Sequence, residues 1–346
     1  MKVLLIGPID KGNVPTNGVT MKNQLFEMRF KELFDEVKII DTWGISKKPW
    51  VIFQMINALI FNKKAKFVLS GGHTIRHIAN FLDFFKMKRD VYFWVAGGSI
   101  NNAIKTGLYN EKALKRLNAI IVQGKNMAKE LNEMGYPNAV YVPNSKPVVF
   151  KPMLKEHNPK QPFRFVFLSR IHPDKGCDDI IKSTLALNNE GNQNRFEVDF
   201  YGPLFDTYKE SFMNQIESVP NINYKGFLNL TETEGYETLS EYDAMLFPTY
   251  WEGEGFPGII LDAYIAGLPV IASDWNLNRE VIEDHKSGII IPVHDSKALT
   301  DAMRELIDGV ADVNKSMREY CLKQAEEFAT RKVISKELMT KLGFYD

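Results

Sequence analysis

The sequence predicts an α/β protein built from two doubly wound, Rossmann-like domains that face a central cleft. Three observations predict this class. Short apolar runs alternate with segments of helical periodicity, the runs fall into two series, and a proline-rich stretch separates the series. Runs that are nearly continuous in Val, Ile, Leu, Phe and Tyr are typical of strands buried on both faces of a parallel sheet.

The first series of apolar runs predicts six strands, at residues 2–7, 36–41, 66–70, 91–96, 119–123 and 139–143. Helical patterns lie between them, for example over 21–33 and 126–134. The second of these is followed by Gly135 and Pro137, which are typical of a helix end.

The second series predicts six more strands, at residues 163–169, 196–202, 222–225, 244–248, 269–273 and 288–293. Helical patterns separate most of them, and after residue 294 the pattern is helical throughout. No short-period repeat is present.

The boundary between the domains is predicted from residues 143–162, which contain five prolines. Such a stretch does not fit inside a sheet or a helix. We therefore predict an N-terminal domain at 1–150, a linker at 151–162, a C-terminal domain at 163–325 and a final helix at 326–346. Packing of that helix against the first domain is left open. Ligands of doubly wound sheets bind at the carboxyl ends of the strands, so the expected site is the cleft between the domains.

Composition excludes several classes of protein. The chain has 346 residues, with 43 Lys and Arg against 43 Asp and Glu, which excludes a globally basic nucleic-acid binder but not a local basic patch. Its two cysteines, Cys177 and Cys321, are too few for a disulfide scaffold and fit a reducing compartment. The opening apolar run is too short for a signal peptide, and no run reaches the length of a membrane span. The expected location is the cytoplasm.

A first candidate site is the segment 169–176, Ser-Arg-Ile-His-Pro-Asp-Lys-Gly, which follows a predicted strand and precedes a predicted helix. Arg170 and Lys175 therefore lie on a loop at a strand's carboxyl end. Charge-assisted hydrogen bonds from Arg and Lys suit the oxygens of a diphosphate. A solvated basic loop is an equally good interpretation of this segment alone, and the glycine spacing of a Walker loop is missing.

A second candidate site is the segment 252–258, Glu-Gly-Glu-Gly-Phe-Pro-Gly, which follows the predicted strand 244–248 and opens a helix ending near Gly267. Gly255 allows close approach of the backbone to a ligand, and the helix start offers N–H groups to phosphate. Asp262 shares a helix face with apolar residues and therefore requires a specific partner, which two sugar hydroxyls would supply. An acidic N-cap cluster would explain Glu252 or Glu254, but not Asp262.

These residues resemble the donor-site motif of family 4 retaining glycosyltransferases, also described as glycosyl transferases group 1. In that family a Glu is followed after seven residues by a second Glu and then by a Gly-Leu-Pro-Val strand entry. Glu254 and Asp262 have this spacing, and 266–274 contain the strand entry. The loop with Arg170 and Lys175 matches the family's diphosphate-binding Arg and Lys, and Asn17 and Gly18 resemble its N-terminal glycine loop. The resemblance is specific over about 163–300 and weak over the first half.

The resemblance implies a GT-B fold, a nucleotide-sugar donor on the C-terminal domain, an acceptor on the N-terminal domain, retention of configuration, and neither metal nor cofactor. Glu254, Arg170, Lys175 and, with less support, His73 are the implied catalytic residues. The implied donor-binding residues are Asn17, Gly18, Arg170, Lys175, Phe227, Glu254, Gly255, Phe256 and Asp262.

This sequence departs from the family pattern at two places. Asp262 stands where the family usually has Glu, and its shorter side chain still has to reach the ribose. The His that the family often has after the fourth strand is missing, and Gly97 and Gly98 stand near that place on the acceptor side. His73 closes the preceding strand, although a loop His is more often only a polar residue.

The predicted function is transfer of a sugar, of hexosyltransferase type, from a nucleotide-sugar to a saccharide or lipid-linked saccharide, as in polysaccharide assembly. A sugar-nucleotide epimerase shares the two-domain layout, and a two-lobed sugar-binding protein is the non-enzymatic alternative. An NAD-dependent dehydrogenase requires Gly-x-Gly-x-x-Gly after a strand, and neither 5–10 nor 94–99 has that spacing.

Residues 49–61 form an apolar segment flanked by lysines. A buried helix of the first domain is the favoured interpretation. The alternative is peripheral contact with an anionic membrane at its inner face, which would bring a lipid-linked acceptor to the protein.

Overall fold

The computed structural model describes residues 1–12, 18–154, 158, 160–309 and 311–345, apart from the side chains of residues 73 and 311–313. The chain divides into two compact units, one of Met1–Ser145 with Thr330–Asp346 and the other of Lys146–Ala329. The chain therefore passes between the units at residues 145–146, ahead of the linker predicted at 151–162, and returns at residues 329–330.

The part of the chain up to residue 145 alternates strands and helices. Its elements are β1 (Lys2–Gly7), α1 (Gly18–Leu33), β2 (Glu36–Asp41), α2 (Trp50–Phe61), β3 (Lys66–Ser70), α3 (Gly72–Phe84), β4 (Asp90–Trp94), α4 (Ile100–Lys105), α5 (Glu111–Lys115), β5 (Ala119–Val122), α6 (Lys125–Glu133) and β6 (Ala139–Tyr141). The strands form a parallel sheet in the order β2-β1-β3-β4-β5-β6.

The second unit repeats the alternation. Its elements are β7 (Phe163–Leu168), α7 (Cys177–Asn189), β8 (Phe196–Tyr201), α8 (Lys209–Glu217), β9 (Ile222–Tyr224), α9 (Thr233–Ser240), β10 (Ala244–Phe247), α10 (Gly258–Ile265), β11 (Val270–Ser273), α11 (Asn278–Val281), β12 (Gly288–Ile291), α12 (Ser296–Asp308) and α13 (Ala311–Glu327). The sheet is parallel, in the order β12-β11-β10-β7-β8-β9.

The predicted fold class is confirmed, since each of the twelve predicted strands is present with ends within two residues of those predicted. The chain is helical after residue 294, as the pattern indicated. Two short helices, α14 (Thr330–Val333) and α15 (Lys336–Lys341), stand in place of the single helix predicted at 326–346. They belong to the first unit, where Arg29 Nε of α1 donates a hydrogen bond of 2.8 Å to the carbonyl of Ile334.

Each sheet has its own apolar core. In the second unit Phe163, Phe165 and Phe167 point from β7 to one side, where they join Ile180 of α7 and Leu299 of α12. This alternation follows from the two-residue period of a strand. Burial of such large apolar side chains stabilises a fold by roughly 1.5–3 kcal/mol each.

The strand order reverses at one place in each sheet. In the second sheet the reversal lies between β7 and β10, and in the first sheet it lies between β1 and β3. Loops that leave neighbouring strands at such a point run to opposite faces of the sheet and leave a crevice at the carboxyl edge. Both candidate segments of the second domain, 169–176 and 252–258, follow the two strands at its reversal point.

Candidate functional site

The loop after β7 is held in shape by a short 3₁₀ helix, Pro173–Lys175. His172 caps this helix, because its Nδ1 accepts a hydrogen bond of 3.1 Å from the backbone N–H of Asp174. A proline at the first position is also typical of a helix start. The turn ends at Lys175, whose side chain is mostly buried.

Gly176 explains why a glycine follows this lysine. Its φ is +78°, and a Cβ atom there would lie 2.3 Å from the carbonyl oxygen of Pro248. Any larger residue would therefore collide with the backbone at the end of β10. The close approach brings the loop after β7 against the loop after β10.

Hydrogen bonds fix the loop after β10 in this position. The N–H of Tyr250 donates to the carbonyl of Asp174 at 2.8 Å, which joins the two loops. On its other side, Trp275 Nε1 donates to the carbonyl of Trp251 at 2.8 Å, and Asn276 Nδ2 donates to that of Glu254 at 2.9 Å. The loop is thus supported from both neighbouring strand ends.

Lys175 and Glu254, which the sequence predicted as separate donor contacts, form an ion pair. The Nζ of Lys175 donates to Oε2 of Glu254, and the two side chains are only 11% and 16% exposed. Trp251 lies beside them, with its ring centroid 5.7 Å from Lys175 Nζ and 5.6 Å from Arg170 Cζ. Two cations therefore lie beside a single indole at the reversal point, and one of them is paired with a carboxylate.

Glu254 does not cap helix α10, which was the alternative interpretation of the acidic cluster. The N-cap of α10 is Pro257, and it makes no side-chain capping bond. The carboxylate of Glu254 is directed to Lys175 instead. The predicted end of this helix is confirmed, since Gly267 follows α10 with a φ of +71°.

Asp262 is buried within α10 and has partners inside the protein. Lys146 Nζ donates to both carboxylate oxygens, at 2.6 Å to Oδ1, and the hydroxyl of Tyr236 donates to Oδ1 at 2.6 Å. Burial, reinforced by the negative charge of Asp262, raises the pKa of the Tyr236 hydroxyl, which therefore stays a donor. Lys146 and Tyr236 therefore satisfy the carboxylate of Asp262 within the protein, so the burial of Asp262 does not by itself require a sugar as its partner.

The remaining predicted donor residues of the second unit lie at the same edge of its sheet. Phe227 follows Gly226, is 69% exposed, and comes just after β9. Gly255 is half-buried, and Phe256 is buried with its ring 5.6 Å from that of Phe328. Phe227 therefore offers an open aromatic face, whereas the side chain of Phe256 is part of the core.

In the first unit, Gly18 is the first residue of α1, and Gly97 and Gly98 are half-buried residues just after β4. Asn17 lies outside the described residues. His73 is in the first turn of α3, and its side chain lies outside the described part of the chain.

Helix α1, which begins at Gly18, contains a buried lysine that the sequence does not predict. Lys22 of α1 is 8% exposed, and its Nζ donates to the carbonyl of Val95 at 2.8 Å. Burial lowers the pKa of this ammonium group to about 7. The sequence gives no signal that Lys22 is buried, because it lies beside the polar residue Asn23 in α1. The sequence analysis likewise assigns no role to Lys146 or Trp251.

Among the residues that the structure describes, no group of three or more His, Cys, Asp or Glu side chains is placed to hold a metal ion. Of the helices in the same part of the chain, none is both long enough and apolar enough to span a bilayer.

The two doubly wound units have the architecture of the GT-B class, and the site in the second unit combines two cations with a carboxylate. Residues 162–309 match the family described as Glycosyl transferases group 1. HepE of Anabaena, solved in complex with UDP, has the same fold, with a TM-score of 0.75, 11% identity and complete coverage of both chains. The predicted resemblance to group 1 glycosyltransferases is therefore confirmed over residues 162–309.

Two curated relatives are similar over part of their length. The amylovoran biosynthesis glycosyltransferase AmsK of Erwinia amylovora is 30% identical over 158 residues, which are 44% of this chain and 38% of that protein. The putative colanic acid biosynthesis glycosyltransferase WcaL of Escherichia coli (strain K12) is 24% identical over 192 residues, which are 53% of this chain and 46% of that one. The chain thus matches less than half the length of each.

Proposed function

We propose that this chain is a retaining, metal-independent glycosyltransferase that moves a hexosyl group from a nucleotide-sugar to a saccharide or lipid-linked saccharide in polysaccharide assembly. The observation that supports it best is the pairing of Lys175 with Glu254 beside Arg170, at the reversal point of the second sheet. A nucleotide-sugar presents a diphosphate next to a ring of hydroxyls, and this site presents cations next to a carboxylate.

In this proposal Arg170 and Lys175 bind the diphosphate. Cleavage of the bond between sugar and phosphate places additional negative charge on the leaving group, and fixed cations stabilise that charge most as it develops. Lys175 is paired with Glu254 before the donor binds. The incoming diphosphate then becomes a second anionic partner of the Lys175 ammonium. Glu254 then accepts hydrogen bonds from the sugar hydroxyls.

The other contacts follow from position. The backbone N–H groups of Gly255 and Phe256 complete the sugar and phosphate contacts, and Phe227 stacks on the nucleobase. The family resemblance assigns Asn17 and Gly18 to donor binding, and it assigns Gly97 and Gly98 to acceptor binding. We assign His73 only a secondary part in catalysis.

Retention without a carboxylate nucleophile requires attack from the face from which the leaving group departs. In that step the acceptor oxygen bonds to the anomeric carbon, the bond from that carbon to the phosphate oxygen breaks, and a phosphate oxygen takes the acceptor proton. The family resemblance supports this route, and the ion pair at the site is compatible with it.

The proposal is tested first by thermal shift with a panel of nucleoside diphosphates and nucleotide-sugars. A specific ligand stabilises the fold by RT ln(1 + [L]/Kd), about 2.7 kcal/mol at a hundredfold excess over Kd. Donors that stabilise the protein are then incubated with saccharide acceptors, and the anomeric configuration of the product is read by NMR. Interconversion of the nucleotide-sugar without any acceptor would instead identify an epimerase.

A further inference from the structure

Helix α2 has apolar side chains on its exposed side as well as on its buried side. The residues that it buries are Val51, Met55, Ala58 and Leu59. On the opposite side Trp50, Phe53 and Phe61 are 56%, 73% and 76% exposed. A surface helix normally has charged residues there, but α2 has none. The prediction of a buried helix therefore holds for one face only.

A second pair of exposed aromatic residues stands at the end of α3. Phe84 and Phe85 are 80% and 57% exposed. Helices α2 and α3 cover the same face of the sheet, because the connections from β2 to β3 and from β3 to β4 run in the same direction and such crossovers are right-handed.

The two helix ends are also tied together. Arg89, in the connection after α3, donates from Nε to the carbonyl of Leu59 at 2.6 Å and from Nη2 to that of Ile60 at 3.3 Å. The connection after α3 therefore lies against the last turn of α2. Phe61 and the pair Phe84 and Phe85 consequently share the amino-terminal edge of the sheet.

Positive charge surrounds these aromatic residues. Residues 42–82 contain five lysines and one arginine but no Asp or Glu, although the whole chain has no net charge. Lysines 63 and 64 follow α2, lysines 86 and 88 follow α3, and all four are exposed. The acidic residues nearest in the sequence are paired, Asp83 with Arg116 at 2.6 Å and Asp90 with Lys66 at 2.8 Å.

We propose that this apolar–basic surface binds a membrane containing anionic lipid. We define it by its aromatic and basic members, Trp50, Phe53, Phe61, Lys63, Lys64, Phe84, Phe85, Lys86 and Lys88. Aromatic side chains enter the interfacial layer of a bilayer while lysines at their margin attract anionic headgroups. Charge favours this occupant over a second copy of the chain, since two copies would bring lysines of like sign together.

The test is sedimentation of the full chain with vesicles, in the absence of donor and acceptor, so that its outcome is independent of glycosyl transfer. We expect binding to an equal mixture of phosphatidylcholine and phosphatidylglycerol, and much weaker binding to phosphatidylcholine alone. The double variant F53S/F61S should bind at least tenfold more weakly. The double variant K63E/K64E should lose at least as much affinity for the mixed vesicles, because each lysine near an anionic surface raises the binding constant roughly fivefold.

Matched controls come from the second unit. The double variant K209E/K297E makes the same change of charge, and Leu185→Ser removes an exposed apolar side chain from α7. Both should bind the mixed vesicles as the unaltered chain does, and circular dichroism should show all variants folded. Equal binding by K63E/K64E and K209E/K297E would overturn the proposal. So would a dimer in analytical ultracentrifugation that F53S/F61S converts to monomer, since the surface would then join two copies.

Discussion

Lys175 and Glu254 are 79 positions apart in the chain, yet the ammonium of one is hydrogen-bonded to the carboxylate of the other. The pair joins the two loops that leave the second sheet where its strand order reverses. Each residue alone has an ordinary structural interpretation, a basic loop or an acidic cap. Their contact makes a compact site of mixed charge that is suited to a ligand with both an anionic and a polyhydroxyl part.

The first prediction concerns Lys175. Lys175→Ala should weaken binding of a nucleoside diphosphate by about 1.5–3 kcal/mol, because a charge-assisted contact is lost. Binding of the nucleoside alone should change little. Isothermal titration calorimetry measures both. Lys182→Ala, a lysine in α7 away from the pair, serves as control, and equal losses for nucleoside and diphosphate would remove Lys175 from the diphosphate site.

The second prediction concerns Glu254. Glu254→Gln keeps the shape of the side chain but removes its charge, so kcat should fall by roughly a hundredfold or more if its contacts tighten as positive charge grows on the sugar. The neighbouring exposed Glu252→Gln should keep kcat unchanged. Steady-state kinetics at saturating donor measures the difference.

Stability must be measured beside kcat, because Glu254→Gln also leaves Lys175 without its carboxylate. A purely structural role predicts a lower melting temperature with intact kcat. In that case Lys175→Met should cause the same loss, and the double variant should lose no more than either single one. A loss of kcat in Glu254→Gln at a temperature where the protein is fully folded contradicts that structural role.

Most of the strands could be predicted from the sequence because they are short apolar runs that are buried on both faces, whereas the edge strand β2 alternates and buries only Ile40. In β10 and β11 all eight residues are buried, so the pattern stands out from the neighbouring helices. Helix α10 could be bounded because Gly267 takes a positive φ that favours glycine. These features depend on short-range preferences, which a single sequence contains.

The partners within the site could not be predicted in the same way. Asp262 and Lys146 are 116 positions apart, and their contact depends on how the chain enters the second unit, where Lys146 also lies beside Ala329. The sequence also could not predict that one side of α2 is exposed, because an apolar helix that faces solvent has the same composition as a buried one.

The third prediction concerns metal ions. The sequence contains no Asp-x-Asp motif at a strand end. In the proposed chemistry the side chains of Arg170 and Lys175 neutralise the diphosphate, which is the role that a metal ion would otherwise have. Transfer should therefore persist in excess EDTA. An assay with and without EDTA, followed by addition of Mg²⁺ or Mn²⁺, checks this. Complete loss on chelation with recovery on addition of metal would contradict the mechanism.

The fourth prediction concerns the pH dependence of stability through Lys22. Its pKa is lowered by burial from an ordinary value of 10.5 to about 7, so between these values the unfolded chain binds more protons than the folded chain. The free energy of unfolding therefore rises with pH in this window, by at most about 1.4 kcal/mol per unit. Lys22→Met should remove that rise.

The measurement is denaturant unfolding of both proteins at pH values from about 6 to about 9. The free energy of unfolding of Lys22→Met, relative to that of the unaltered chain, should be greatest at the acidic end of this range, where the buried ammonium is charged. Lys31→Met, in the same helix but exposed, should give a difference that does not vary with pH. A constant difference for Lys22→Met as well would show that its ammonium is solvated.

The last prediction separates the two roles of Asp262. Removing one partner from a buried ion pair leaves the other charge uncompensated, so Asp262→Asn and Lys146→Met should each lower stability, by about 3–5 kcal/mol. If Asp262 also reads the ribose of the donor, only Asp262→Asn should raise the KM for donor, with less effect on kcat, because ribose contacts are made equally in the ground and transition states. Asp262→Glu, which restores the family residue, should remain active. Steady-state kinetics at a temperature where all three variants are folded shows whether Asp262 binds the ribose. An unchanged donor KM in Asp262→Asn would mean that the carboxylate has only a structural role, as the partner of Lys146.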